Sequence, residues 1–453
     1  MKAGFTRMDI TPSIGIPIGG NCRDDFFSRG VHDNLYADIL IIANNVEKII
    51  LIDLDWCETS LEILRGIKQR ISKDTGINYL NICITMTHTH SGPDTLGFLD
   101  PKGRGLLPVV QAYLSDVAIK IVQGIKMALI DMQDIMIGTG KGYEDRLSYN
   151  RRVFFKDGSL HMNWEMLENT DIQMSDVDEP EGPIDPDIYV IKICDLDEKI
   201  KAVVVNYTLH PAVLVGKDWL FSKDYIWGLE DHIKQTLGKD VFVYFANGAE
   251  GNINHINMLD RSQEQGWIEA YRIGSILGND VIRIMENIQV KETTILNIKY
   301  ESIWVPVREI TREEIENAEK LWQECKGVIP GQADGLPQEW YAGNILKIVR
   351  ENIKFRELEL HVIRIGNDII ATLPGEFFTE FGLQIKNRSP FANTLIFGLA
   401  NQSIGYVPTK DSFKNGGYET ATCETSILIP EAGNMIVDNL LRMIEETSSA
   451  GHQ

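Results

Sequence analysis

Hydrophobic and polar positions alternate along the chain with two different periods. Short apolar runs rich in β-branched residues recur between stretches whose apolar residues step by three and four, the pattern of an α/β protein. Residues 37–53 read as a hairpin, with Asn44-Asn45 separating two apolar runs. In 59–74, Leu61, Leu64, Ile67 and Ile71 fall on one helix face. Residues 79–87 read as a buried strand, 107–132 as a long helix and 135–140 as a strand, while the Asp-, Glu- and Pro-rich stretch 168–186 reads as a loop or lid.

The second half repeats the alternation: strand 202–207, helix 227–237, strand 241–246, helix 264–288 and strand 294–307. Thr311 followed by Glu314 predicts a capping box opening a helix over 311–325. Residues 327–338, with two prolines and three glycines, mark the clearest internal break. Helix 339–350, strands 357–365, 369–373 and 394–399, and a closing helix near 430–446 complete the reading. No internal repeat and no low-complexity segment is evident. The fold class is therefore α/β, mixed β-sheets flanked by helices, expected over 1–453 as one large domain.

Charge narrows the partners. A formal net charge of -21 argues against nucleic acid and against anionic membrane surfaces, so the expected partner is a small molecule, with a local cation holding any anionic group. The first residues offer no apolar stretch of signal-peptide kind, no apolar run approaches a membrane span, and the six cysteines are scattered with no CxxC pair. These features predict a cytoplasmic protein with reduced thiols. Trp219, Trp227, Trp267, Trp304 and Trp340 supply aromatic surface for a pocket or for a homo-oligomer interface.

Candidate chemistry sits where apolar runs end, and the carboxyl ends of strands in α/β sheets are where ligands usually bind. The run 79–87 leads into His88-Thr89-His90-Ser91-Gly92-Pro93, and 202–207 leads into Thr208-Leu209-His210-Pro211. The run 369–373 leads into Pro374-Gly375-Glu376, and 395–399 into a loop reaching Tyr406. A His-x-His pair in extended backbone puts both rings on one face, which suits a divalent metal or, equally, a pair of hydrogen-bonded core histidines. His210 alone could be structural, and Glu376 could be a helix N-terminal acid.

In order, Thr87–Pro93, His210-Pro211, Pro374–Phe377 and Gly398–Tyr406 resemble motifs of the neutral (non-lysosomal) ceramidase family, and the resemblance runs from Gly4 to about Glu424. Arg29–Asp33 and Asn150-Arg151 add to it. The resemblance implies a Zn2+ site of His88, His210, Glu376 and Tyr406. It also implies that His90, Arg151 and Tyr418 line the substrate site, with Arg152 a neighbouring alternative for Arg151. One departure stands out: where the family has Gly-Asp-Val-Ser-Pro, with a proposed serine nucleophile, this chain has Gly251-Asn252-Ile253-Asn254-His255. Asn254 cannot act as a nucleophile, though it could donate a hydrogen bond to the developing oxyanion. The family's C-terminal β-domain is not expected.

The resulting expectation is a zinc-dependent hydrolase cleaving an amide, ester or lactone bond of a small soluble substrate through activated water. Two rivals stand beside it: a metal-dependent isomerase or lyase acting on a carbonyl compound, and a metal- or ligand-binding homologue without catalysis.

Overall fold

The computed structural model describes residues 1–20, 25–97, 105–165, 172–214, 218–329 and 336–449. Strands β1 (Lys2–Asp9), β2 (Tyr36–Ala43) and β3 (Lys48–Leu54) form an antiparallel meander, and helix α1 (Leu61–Thr75) crosses over to return β4 (Ile82–Met86) parallel to β3. Helix α2 (Pro108–Ile130) follows. The same order then recurs. Strands β5 (Met136–Tyr143), β6 (Asp187–Cys194) and β7 (Ile200–Tyr207) are antiparallel, helix α3 (Tyr225–Leu237) returns β8 (Phe242–Asn247) parallel to β7, and α4 (Gly266–Glu286) follows.

A third unit repeats the plan with an insertion. Between β9 (Leu296–Pro306) and its antiparallel neighbour β10 (Phe355–Ile365) lie α5 (Arg312–Glu324) and α6 (Gln338–Glu351). Strand β11 (Asp368–Thr372) pairs antiparallel with β10, α7 (Thr379–Arg388) crosses over, β12 (Asn393–Phe397) lies parallel to β11, and α8 (Ala432–Ser449) closes the unit. This threefold recurrence corrects the expectation of no internal repeat. The units share element order and burial period, which suffice to specify strands and helices, without a visible repeat of residue identities.

One face of each sheet meets the others in a shared core: Leu40 and Leu51 from the first, Val204 and Tyr244 from the second, Ile370 and Phe397 from the third. The opposite faces carry the helices. Ile39, Ile41, Ile50 and Ile52 pack in one cluster with α1 and α2 residues, Val203, Val205 and Val243 with α3 and α4, and Ile369 and Ile396 with α7 and α8. Because both faces are covered, central strands read as continuous apolar runs.

The helix ends follow the side chains. The Ser60 side chain accepts from the Ile63 N–H at the start of α1, and Gly76 closes it in the left-handed conformation. The expected Thr311–Glu314 capping box opens α5. Other expectations need correcting. Tyr79–Asn81 is a 3-10 turn capped by Asn78, so the strand expected over 79–87 is confined to Ile82–Met86. Within the expected loop 168–186, Val177–Pro180 pairs with Arg152–Phe155, because an edge ladder tolerates proline and a register shift; 168–171 lie outside the described residues. Strands β1 and β6 and helix α7 were not legible, since Gly4, Thr6 and Arg7 interrupt β1 and α7 is short. Of the break at 327–338, residues 330–335 lie outside the described residues.

Candidate metal centre

The carboxyl ends of the parallel strand pairs from the three units converge, and the strand-end side chains meet there. His88 stands two residues past β4. Its φ of 70° turns the chain, so His88 and His90 come together across a turn and not as alternate residues of one strand, the geometry expected of the His-x-His pair. The His88 Nδ1 donates to the Cys57 carbonyl oxygen at 2.6 Å, and the His210 Nδ1 to the Glu250 carbonyl oxygen at 3.0 Å. A carbonyl oxygen only accepts, so each Nδ1 carries a proton and Nε2 is the ring atom left to face the interior of the cluster.

Those two Nε2 atoms face one another at 3.0 Å, and the Glu376 Oε2 lies 3.3 Å from both. All three residues are buried. Two ring nitrogens and a carboxylate oxygen at such separations repel unless positive charge, a shared proton or a cation, lies between them. Tetrahedral zinc with bonds of about 2.0–2.1 Å spaces its ligand atoms roughly 3.4 Å apart, close to this triangle. The electrostatics show the same pull toward positive charge. Burial raises the Glu376 carboxyl, but His88 and His210 more than reverse it and hold it well below the usual carboxylate range. Burial depresses His88, yet Cys57 and Glu376 together raise it well above an ordinary histidine. Burial leaves His210 at about 4, against a partial lift from Glu376.

Tyr406 lies directly opposite Glu376 in a two-residue parallel ladder, Glu376–Phe377 with Tyr406–Val407. Parallel register partners project to the same side. Burial, then the charges of Glu376 and Tyr418, raise its phenol well above 10, with Arg151 opposing. The Arg151 guanidinium lies 5.1 Å from the centroid of the Tyr406 ring, 5.4 Å from Trp164 and 5.8 Å from Tyr418. Its Nε donates to Glu419 Oε1 at 2.7 Å, whereas its buried Nη2 has no partner. Arg152 is saturated by comparison: it is fully buried and bonds Glu181, the other Glu419 oxygen and the Gly416 carbonyl. Of the two neighbouring arginines, Arg151 is therefore the one with a donor to spare.

His90 places its ring 5.1 Å from His88 and 5.4 Å from His210, with a buried Nδ1 that has no partner. Burial, reinforced by His88 and His210, holds it well below its ordinary pKa, so it is neutral. Tyr418 sits edge-on to Tyr406 at 5.5 Å and to Trp164 at 5.7 Å. Asn254 forms a reciprocal amide pair with Asn163, each Nδ2 donating to the other's Oδ1 at 2.7 Å, and its Oδ1 also accepts from the Ile256 N–H. Asn252 ties the same loop to α7, accepting from the Thr379 N–H and donating to Glu380.

Some members of the site were missed in the sequence. Glu419 bridges the two arginines, and Trp164 walls the ring cluster. Two more carboxyls crowd the histidines: Glu58, pushed to about 8 by burial and Glu376, and fully buried Glu250, pushed to about 8 by burial against a lowering from His88. Glu250 follows β8 by three residues, so the strand-end rule that selected the others also reaches it.

No protein-family profile matches the chain. Neutral ceramidase B of Dictyostelium discoideum is 20% identical over 516 residues, covering 93% of this chain and 69% of that protein. Neutral ceramidase A of the same organism is 20% identical over 513 residues with the same coverage. The crystal structure of neutral ceramidase from Pseudomonas aeruginosa superposes with a TM-score of 0.72 at 18% identity, covering 98% of this chain and 74% of that one. A ceramidase complexed with C2 gives 0.72 at 16% identity, covering 98% and 75%. The chain thus has sequence homologues among the neutral ceramidases and shares the neutral ceramidase fold.

Proposed function

We propose that the chain is a zinc-dependent hydrolase that cleaves the amide bond of a small molecule, with ester and lactone bonds as further substrates of the same site. The observation that carries this reading is the Nε2–Nε2–Oε2 triangle of His88, His210 and Glu376, each imidazole fixed in the tautomer a cation requires. The homology to amide-cleaving ceramidases supplies the reaction class. His88, His210, Glu376 and Tyr406 would hold the ion, which when bound polarises a carbonyl and lowers the pKa of water.

The chain's own residues do the rest. Arg151 binds the substrate oxygen through its unpartnered Nη2, while Glu419 on Nε fixes the fork. Tyr406, Tyr418 and Trp164 wall the guanidinium and keep water from it. Neutral His90 presents a ring nitrogen to the same space. Position 254 carries no hydroxyl, and the Ser91 Oγ already donates to the Leu214 carbonyl, so water is the attacking group. The substrate is read as small and soluble, and the unpaired state of the five cysteines among the described residues favours a cytoplasmic setting.

Metal analysis of the purified protein, followed by a panel of N-acyl and lactone compounds in heavy-oxygen water, tests the reading. The expected result is one zinc per chain, sharply lower occupancy in His88→Ala, His210→Ala and Glu376→Ala, and one solvent oxygen in the product. Turnover without solvent oxygen would assign an isomerase or lyase. A protein that takes up no divalent metal would overturn the site.

A further inference from the structure

Glu250 is a buried acid that the resemblance assigns no role. It is 0% exposed, and neither of its oxygens accepts a hydrogen bond from any other residue. A buried acid normally has donors on both oxygens, and leaving them unpaired in a low-dielectric setting costs several kcal/mol unless something else satisfies them. No lysine or arginine forms an ion pair with it among the described residues.

What faces it is the histidine pair. One ring nitrogen of His88, one of His210 and a carboxylate oxygen of Glu250 all lie within 4.8 Å of one another. The backbone fixes this placement. The Glu250 carbonyl oxygen receives the His210 Nδ1–H, and the next N–H, of Gly251, donates to Phe377 at 2.8 Å beside Glu376. Gly398 clears the side, since a Cβ there would stand 3.0 Å from Glu250 Oε2.

The threefold plan of the chain gives an independent argument. In the first unit the strand returned by the crossover helix is β4, and His88 follows its end by two residues. In the second unit the returned strand is β8, and Glu250 follows its end by three residues. Both residues thus lie in the loop that leaves the carboxyl end of a returned strand, at the same end of the sheets where His210 follows β7 and Glu376 follows β11.

We propose that Glu250 is a further ligand of the cation held by His88, His210 and Glu376. This rests on the proposed metal site and adds to it a donor that the family motif does not supply. Two carboxylates would then neutralise the dication, and the buried Glu250 side chain would gain the partner it lacks.

The test is metal affinity and needs no substrate. Zinc, cobalt(II) and manganese(II) are each titrated into metal-stripped wild-type protein and into Glu250→Gln, with Glu380→Gln as control. Glu380 is a largely buried carboxylate on α7, bonded to Asn252. The expected result is a loss of at least about 10-fold in zinc affinity for E250Q, an unchanged E380Q, and an altered visible spectrum of the cobalt-loaded E250Q. If E250Q does not fold, as circular dichroism reports, Glu250→Asp takes its place, with affinity expected below wild type. Zinc affinity within about threefold of wild type, or an equal loss in E380Q, overturns the assignment while leaving the metal site standing. No uptake of any of the three ions by wild type overturns both.

Discussion

Lys68→Met tests how the first and third units are bolted together. Lys68 projects from the buried face of α1 with a fully buried ammonium, 2.7 Å from Glu359 Oε2 on β10 and 3.1 Å from Asn401 Oδ1, and 4.7 Å from the Tyr79 ring centroid. Removing one partner of a buried ion pair costs about 3–5 kcal/mol because it strands the other charge. Glu359 would keep Arg65 at 3.0 Å and the Tyr79 hydroxyl at 2.7 Å, which places the expected loss near the lower end, about 3 kcal/mol. Replacing both partners, Lys68→Met with Glu359→Met, should recover most of it, since a well-packed apolar pair is often neutral relative to a buried ion pair. Urea unfolding followed by fluorescence reads both, with a shifted midpoint and an unchanged slope for the single variant. A single variant within about 0.5 kcal/mol of wild type, or a double variant less stable than the single, would refute the reasoning.

Three further outcomes follow from named groups. Arg151→Lys should lower kcat/KM by about 10-fold or more on any substrate found, because the planar fork held by Glu419 is lost; unchanged kinetics would remove Arg151 from the reaction. With Asn254 engaged by Asn163, rapid-mixing assays should show no burst of first product and mass spectrometry no covalent adduct; an adduct on Ser91 would reverse that. His361 is pushed down to about 3 by burial, with Lys68 adding to the shift. Its folded pKa lies below its unfolded value of about 6.5, so its contribution is complete above that pH and is lost as pH falls toward 3. Between pH 4 and 5.5 wild type should lose about 1.4 kcal/mol per pH unit more than His361→Gln, and parallel stability curves would contradict the buried neutral ring.

The sequence carried the class of the fold and three residues that the structure brings together, for a physical reason. Strands covered on both faces leave apolar runs such as 202–207, and a polar residue ending such a run is visible as a break in pattern, which is how His88, His210 and Glu376 were found. Tyr406 lies at the far end of the loop that follows 395–399 and Arg151 ends no such run, so the family motif was needed to single them out. Glu250 was passed over because a glutamate in a glycine-rich turn reads as solvent-facing, and its burial depends on α7 and β12 arriving from more than a hundred residues away. The threefold plan was hidden for a related reason. Pairing direction is a tertiary property, so β3 with β4, β7 with β8 and β11 with β12 show themselves as equivalents only once assembled.

The close backbone contacts beneath the His88–His210–Glu376 cluster separate what can vary in this protein from what cannot. Gly251 lies so near the Glu376 carbonyl, and Gly405 so near the Thr425 carbonyl, that any side chain at either position would force main chain apart. Donor placement is thereby written into main-chain packing and is insulated from the identity of neighbouring side chains. Position 254 is one such neighbour: it answers to Asn163 through a single reciprocal pair, while the donors answer to glycines and carbonyls. The scaffold can therefore exchange the side chain at position 254 without rebuilding the backbone that sets His88, His210 and Glu376 together.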